Sequence, residues 1–417
     1  MLNRVWFFFF LISFIFIGYQ ALSGRADVLN LAVDGVFKSA KTSAEIAVGL
    51  IGVMTLWMGL MRLGEKAGLI AYLSKISQPL LSKLMPEVPK NHPAFGSVTV
   101  ALTANMLSLY NASTPMGIKA MQDLQSLNSN KEVASNAQIV FLALKCSSLS
   151  IVPVNVFLLR AQFGAEAPAD IFIPILLASF CSTIVALFCV AVAQKLSIVN
   201  GVMLIYIGTL LTVFLGVIVY LLTLSAHQLG TFSGMAGNGA LLLLIFSFVL
   251  IAGFKKVSVY DEFVEGAKEG FHQSIKLIPY LVAMLMAIGL LRSSGVLEYF
   301  ISIIADLASF FTSDLRFIDA LPTAMMKFFS GSGAKALMIE SMQHYGVDSF
   351  SGRLAAIFNE CTETTFYILA VYLGAVGIKE GRHVLACSLI GNVAGIIAAI
   401  FVCYWFYGTV LEKNGFY

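Results

Sequence analysis

Apolar runs long enough to cross a bilayer recur along the whole chain. A spanning helix needs about 20 mostly apolar residues, and such runs lie at about 5–22, 44–63, 136–160, 170–194, 200–224, 236–254, 275–291, 351–376 and 383–406. A chain written this way has to fold in lipid. Its charge content agrees, since only 12% of the 417 residues are charged, about half of what usually covers a water-facing surface. The expected fold class is therefore an all-α polytopic membrane protein, with lipid as its first partner. A net charge of +3 with no basic block excludes a nucleic-acid partner. The metalloprotease, P-loop, serine-hydrolase and dinucleotide signatures are missing, and none of the six cysteines forms a CxxC pair. Neither enzyme activity nor a cofactor or metal site is expected.

The first run, Val5–Leu22, follows Arg4 and runs into Ala21–Gly24 as a cleaved signal sequence would, but it is longer than a signal core, which favours an uncleaved anchor. Positive residues set the orientation. Arg62, Lys66, Lys75, Lys83 and Lys90, then Lys255 and Lys256, then Lys379 and Arg382 go to the cytoplasmic side, and the 225–235 loop without Lys or Arg goes outside. This puts the N-terminus in and the C-terminus out. It leaves 23–43 as an external connection in spite of Arg25, Lys38 and Lys41. Residues 67–85 and 259–276 carry apolar stripes opposite charged faces and read as helices on the bilayer surface or packed on the bundle.

The two halves resemble each other. Gly59–Arg62 answers Gly289–Arg292, Met116–Met121 answers Ser332–Leu337, and Leu144–Ser148 answers Asn359–Glu363, the last two at nearly one offset. With an odd number of spans between the copies, the second is inverted. Inverted repeats with broken helices are typical of secondary transporters, whose solute sites lie near the midplane.

Within each copy the apolar pattern is interrupted twice. Asn105, Asn111, Ser113 and Thr114 interrupt 93–127, which reads as a re-entrant hairpin with its tip at 110–114, Thr114 capping a helix that starts at Pro115. Its counterpart, 316–345, has Ser330, Gly331, Ser332 and Gly333 at the tip, with Ser332 as the cap. Such tips suit an electron-rich solute group, although Ser-Gly-Ser-Gly also suits close helix packing. After each hairpin comes a span broken in its middle. The first holds Lys145, Cys146, Ser147, Ser148 and Ser150 before Pro153; the second holds Asn359, Glu360, Thr362, Glu363, Thr364 and Thr365. Ionisable residues at that depth face a cavity or one another. Lys145 and Glu360 are expected either as an ion pair or, with Glu363, as groups that couple transport to H+ or Na+. Lys119 and Lys335, one turn past the tips, are placed either to contact an anionic solute or, the preferred reading, to snorkel to the interface.

Specific motifs carry a resemblance to known families. Met61–Gly68, Pro86–Ala94 and Ala104–Gly117 resemble spore maturation protein A; Glu262–Phe271, Ile278–Met284, Ser330–Ala334 and Thr362–Tyr367 resemble spore maturation protein B. The chain looks like a fusion of the two, each with a nucleoside-recognition or gate domain similar to the core of concentrative nucleoside transporters. It departs from the family pattern at Ser108, Tyr110, Lys145 and Cys146. The resemblance implies a multi-pass protein of the bacterial inner membrane. The domain organisation expected is an anchor and linker (1–43), a first gate-like repeat (44–194), connecting helices (195–258), a second gate-like repeat (259–406) and a tail (407–417). The expected function is secondary transport of a small polar, anionic or nucleoside-like solute. The alternative is a non-transporting gate that regulates another membrane complex, and self-association is left open.

Overall fold

The computed structural model describes residues 2–408 apart from 26, 69–77, 90–91, 107–109, 197–200 and 311. The expected surface helix at 67–85 lies largely outside these residues. The helices named here, in chain order, are α1 (Leu2–Leu22), α2 (Asp27–Lys66), α3 (Pro93–Met106), α4 (Tyr110–Leu127), α5 (Asn136–Ser147), α6 (Val154–Gln162), α7 (Phe172–Gln194), α8 (Gly201–Leu222), α9 (Ala226–Phe254), α10 (Val259–Ser293), α11 (Val296–Ser309), α12 (Leu321–Lys327), α13 (Gly331–Tyr345), α14 (Phe350–Glu360), α15 (Thr365–Gly374) and α16 (Val384–Tyr407). No strand occurs among the described residues. Three helices there are long and apolar enough to cross a membrane, in α7, α9 and α16, or four if the pair Leu285–Ser293 and Val296–Ser309, bent by 72°, is one span.

Several expected boundaries shift. The 23–43 connection is helical from Asp27 on, continuous with the 44–63 run in one 40-residue helix. The 259–276 surface segment runs without interruption into the 275–291 span. Both expected breaks within spans are present, with α5 ending at Ser147 and α6 starting at Val154, and α14 ending at Glu360 and α15 starting at Thr365.

The chain divides into two compact units, residues 1–62, 158–166 and 259–359, and residues 63–157, 167–258 and 360–417. In the first unit, α10 is held by α1 and α2. The Trp6 indole N–H donates to Ala283 O at 2.9 Å, and Gln20 donates to Ser294 O at 2.8 Å. Gly266 and Gly270 let α2 approach closely: a Cβ there would lie 2.5 Å from Met58 O and 2.4 Å from Met54 O. Arg62 then bridges to Glu262 at 2.7 Å and Glu269 at 3.2 Å, which fixes the charged face of α10 on α2. This contact explains why 259–276 continues the span instead of lying apart. Arg292 bonds Glu340 of α13 at 2.8 Å, and the fully buried Arg160 bonds Asp348 at 2.8 Å.

In the second unit α3, α4, α5 and α15 enclose a dry core that includes Phe95, Val98, Met121, Leu124, Phe141 and Tyr372. α7 and α16 pack through small residues. A Cβ on Gly391 would sit 2.6 Å from Ala186 Cβ, and one on Gly395 would sit 2.8 Å from Ser182 Cβ. In lipid the hydrophobic effect gives helices no reason to associate, so this close backbone approach supplies the attraction.

Candidate functional site

The first helix pair starts where α3 and α4 pack on each other. The helix begins a turn earlier than expected, at Tyr110, so Thr114 is not its cap and Pro115 lies inside it. A proline this close to a helix start costs a single backbone bond, which leaves its position a loose marker of where the helix begins. The expected tip at 110–114 is thereby helical backbone. The side chain of Asn111 is outside the described residues.

Asn105, Ser113, Lys145 and Ser148 come together. The Lys145 ammonium donates to Asn105 Oδ1 at 2.9 Å and to Ser113 Oγ, and Asn105 Nδ2 donates to Ser148 Oγ at 3.0 Å. Ser113 Oγ also lies 3.4 Å from Asn105 Oδ1. Lys145 is 3% exposed. An ammonium taken out of water needs oxygens around it, and α3, α4 and α5 each supply one or hold one in place. Glu363 is an acid whose charge acts on Lys145. Glu360 is buried as well. Thr114 reaches Tyr372, whose ring is packed where a Cβ on Gly117 would fall, 2.4 Å from Cε1.

The break after α5 begins with Ser148, which adopts a left-handed conformation (φ 44°) and caps the helix through its N–H to Leu144 O. Ser147 is buried, its hydroxyl turned back to Leu144 O at 3.2 Å. Backbone groups freed at a break must find partners in the protein. Ile151 N–H donates to Met106 O at 3.0 Å, the end of α3, and Ser150 N–H donates to Ser179 Oγ at 3.3 Å. The second break is treated in the same way. Glu363 N–H donates to Cys146 O at 3.0 Å, and Asn392 of α16 donates to Glu363 O at 3.2 Å and to Thr365 Oγ1 at 2.7 Å. Thr362 and Thr364 are buried here, and Thr364 is the residue before α15. In one unit, then, the first helix pair and both breaks surround a buried polar cluster.

Ser330, Gly331, Ser332 and Asn359 lie in the first unit. Ser330, not Ser332, is the N-cap of α13: its Oγ accepts the Gly333 N–H at 3.0 Å, while Ser332 Oγ lies 3.2 Å from Ser330 Oγ and its side chain is exposed. The extended backbone of Ser330 (φ −152°) is what a cap needs, and two glycines follow within the first turn. Gly331 is the first residue of the helix. Asn359 is 2% exposed, and its carbonyl accepts Lys327 Nζ at 2.5 Å. Lys119 is exposed, as expected of a residue that reaches the interface, and Lys335 is half-buried.

Lys327 and Asn392 escaped sequence reasoning. Lys327 sits between Met326 and Phe328 and is 6% exposed, so in the sequence it looks like one charge within an apolar run. Its place directly before the Ser330 cap was the available signal. Asn392, fully buried in α16, lay within a run read only as a span. None of the six cysteines is in a disulfide, and no cluster of three or more His, Cys, Asp or Glu suited to a metal occurs among the described residues.

Comparison with known proteins is consistent with these halves. A family model described as "Gate: Nucleoside recognition" matches residues 47–196 and 274–379. "Spore maturation protein A" of Bacillus subtilis (strain 168) is 37% identical over 187 residues, 45% of this chain and 92% of the relative. "Spore maturation protein B" of the same organism is 37% identical over 171 residues, 41% of this chain and 94% of the relative. The chain is homologous to both, each relative accounting for about half of it, consistent with a fusion.

Proposed function

Since the chain belongs to the nucleoside-recognition gate family, we propose that it is a secondary transporter of a small polar solute, working by alternating access around the buried cluster of Asn105, Ser113, Lys145 and Ser148. The observation that carries this reading is Lys145, a buried ammonium held beside a helix break in a multi-pass membrane protein. Desolvating a charge is expensive, and a chain that needed only packing would place Leu or Met there. A lysine in that position suits a solute with an anionic or strongly electron-rich group, including the ring acceptors of a nucleoside. In this reading the pairs α3–α4 and α12–α13 are re-entrant hairpins of an inverted repeat, and the protein resides in the bacterial inner membrane. Glu363 is the coupling acid if protons drive transport; a Na+ gradient is the other driving force. No cofactor or catalytic group is assigned.

Uptake of tritiated uridine and of radiolabelled orthophosphate into proteoliposomes tests the reading, with imposed pH and Na+ gradients. Accumulation of either probe that is abolished in Lys145→Met supports it. A second reading, a non-transporting gate that regulates another membrane complex, is favoured by the backbone bonds that close both breaks, Ile151 to Met106 and Glu363 to Cys146. Under it, both probes stay at the level of protein-free vesicles, and the protein co-purifies with a partner complex.

A further inference from the structure

A polar cavity lies away from this cluster, at the end of the second unit where α4 ends and α5 and α16 begin. It encloses about 340 Å³ and is lined by Glu87, Asn128, Ser129, Asn130, Asn136 and Arg382 over an apolar floor that includes Val88 and Leu124. That volume is at the lower end of what small-molecule sites occupy. Its walls are fixed in advance. Asn128, 8% exposed, donates to Val133 O at 2.9 Å and to Gln125 Oε1 at 3.0 Å, and the capping box of Ser135 and Gln138 holds the start of α5. The loop from the first half is tied to the loop from the second half by a parallel bridge between Val133 and Glu380 and by Lys379 to Glu132 at 2.7 Å.

The hydrogen-bonding inventory of the lining is lopsided. The amide oxygens are already occupied: Asn128 Oδ1 accepts Asn130 N–H, Asn130 Oδ1 accepts Glu132 N–H, and Asn136 Oδ1 accepts Arg382 Nη1 at 2.9 Å. Glu87, the acid of the lining, takes the Ala137 N–H of α5 at 2.6 Å through one oxygen. The donors are less committed. Arg382 uses Nη1 alone, on Ala134 O and Asn136 Oδ1, both neutral. Among the described residues no contact engages its remaining guanidinium N–H groups, nor the amide nitrogens of Asn130 and Asn136. Arg382 itself adopts a left-handed backbone (φ 51°). Apart from the second Glu87 oxygen and the Ser129 hydroxyl, the side-chain acceptors are used, while the exposed Arg382 and Asn130 and the half-buried Asn136 keep donors open; this fits an acceptor-rich ligand, and a guanidinium fork fits a tetrahedral or planar oxyanion.

We propose that this cavity binds a phosphate group, carried by a free anion or by a lipid headgroup, and that occupancy strengthens the link between the two loops. The site is independent of the transport reading, so its failure would leave that reading untouched. The test is thermal unfolding of the full-length protein, with inorganic phosphate titrated in detergent and, in separate arms, in nanodiscs of phosphatidylglycerol or of phosphatidylcholine. A saturable rise in the unfolding temperature with phosphate, weakened at least tenfold in Arg382→Gln and partly restored in Arg382→Lys, supports a free anion. No phosphate effect but a higher unfolding temperature in phosphatidylglycerol than in phosphatidylcholine, lost in Arg382→Gln, supports the headgroup. Asn136→Ala, which keeps the guanidinium, should weaken whichever effect is seen. A shift that is equal in wild type and Arg382→Gln, or no shift in any arm, overturns the proposal.

Discussion

Glu363 N–H donates to Cys146 O at 3.0 Å, so the break in one half's span is closed on the break in the other's. Backbone polar groups within a bilayer have no water to fall back on, and this bond makes each break part of the other's solution. Glu363→Pro removes the donor and leaves Cys146 O unsatisfied, and we expect it to lower stability by about 1–3 kcal/mol. Glu363→Gln keeps the N–H and the size of the side chain and should melt closer to wild type. Thermal unfolding of the two variants in detergent checks the difference. Equal melting of both would mean that the bond contributes nothing.

Lys145 and Asn105 should respond differently to apolar replacement. Lys145→Met removes the buried charge and leaves Asn105 bonded to Ser148 and within reach of Ser113, so stability should stay within about 1 kcal/mol of wild type. Asn105→Leu leaves the ammonium short of an acceptor and should cost about 1.5–3 kcal/mol. Chemical denaturation in detergent measures both, and uptake assays should show loss of transport in each.

The α7–α16 contact should tolerate no added side chain. Gly391→Val puts a branched group where even the first side-chain carbon would lie 2.6 Å from Ala186 Cβ. Loss of monodisperse protein in size-exclusion chromatography is the expected result. Gly216 in α8 has open space around it, and Gly216→Ala should be neutral or stabilising by about 0.5–1 kcal/mol.

Ser330→Ala should cost about 1 kcal/mol through loss of the α13 cap, whereas Ser332→Ala, at an exposed side chain, should stay within about 0.5 kcal/mol. Comparing their unfolding temperatures tests which serine caps the helix.

The apolar runs announced most of this architecture because lipid leaves few alternatives to helices. Both breaks were legible, since Pro153 and the clustered hydroxyls of Thr362, Thr364 and Thr365 are costly inside an unbroken span. The start of α4 was not, because Pro115, which favours a first-turn position, instead lies inside the helix at the cost of one backbone bond. The continuous α10 was hidden by its own charges: Glu262 and Glu269 look like a water-facing stripe until Arg62 is placed opposite them. Lys145 stood out as a site residue, but its partners on α3 and α4 are distant in sequence. Lys327 was missed because its acceptor is the backbone carbonyl of Asn359, which no sequence pattern displays, and its place before the Ser330 cap was the one hint.

Alternating access at the Lys145 cluster can be measured without knowing the solute. A Ser113→Cys variant, with Cys146, Cys181, Cys189, Cys361, Cys387 and Cys403 replaced by alanine, is treated with a membrane-impermeant maleimide in right-side-out and in inside-out vesicles. The account predicts labelling at position 113 from each side, slowed when the conformation open to the other side is favoured. Labelling from neither side, or from one side only under every condition, would contradict it.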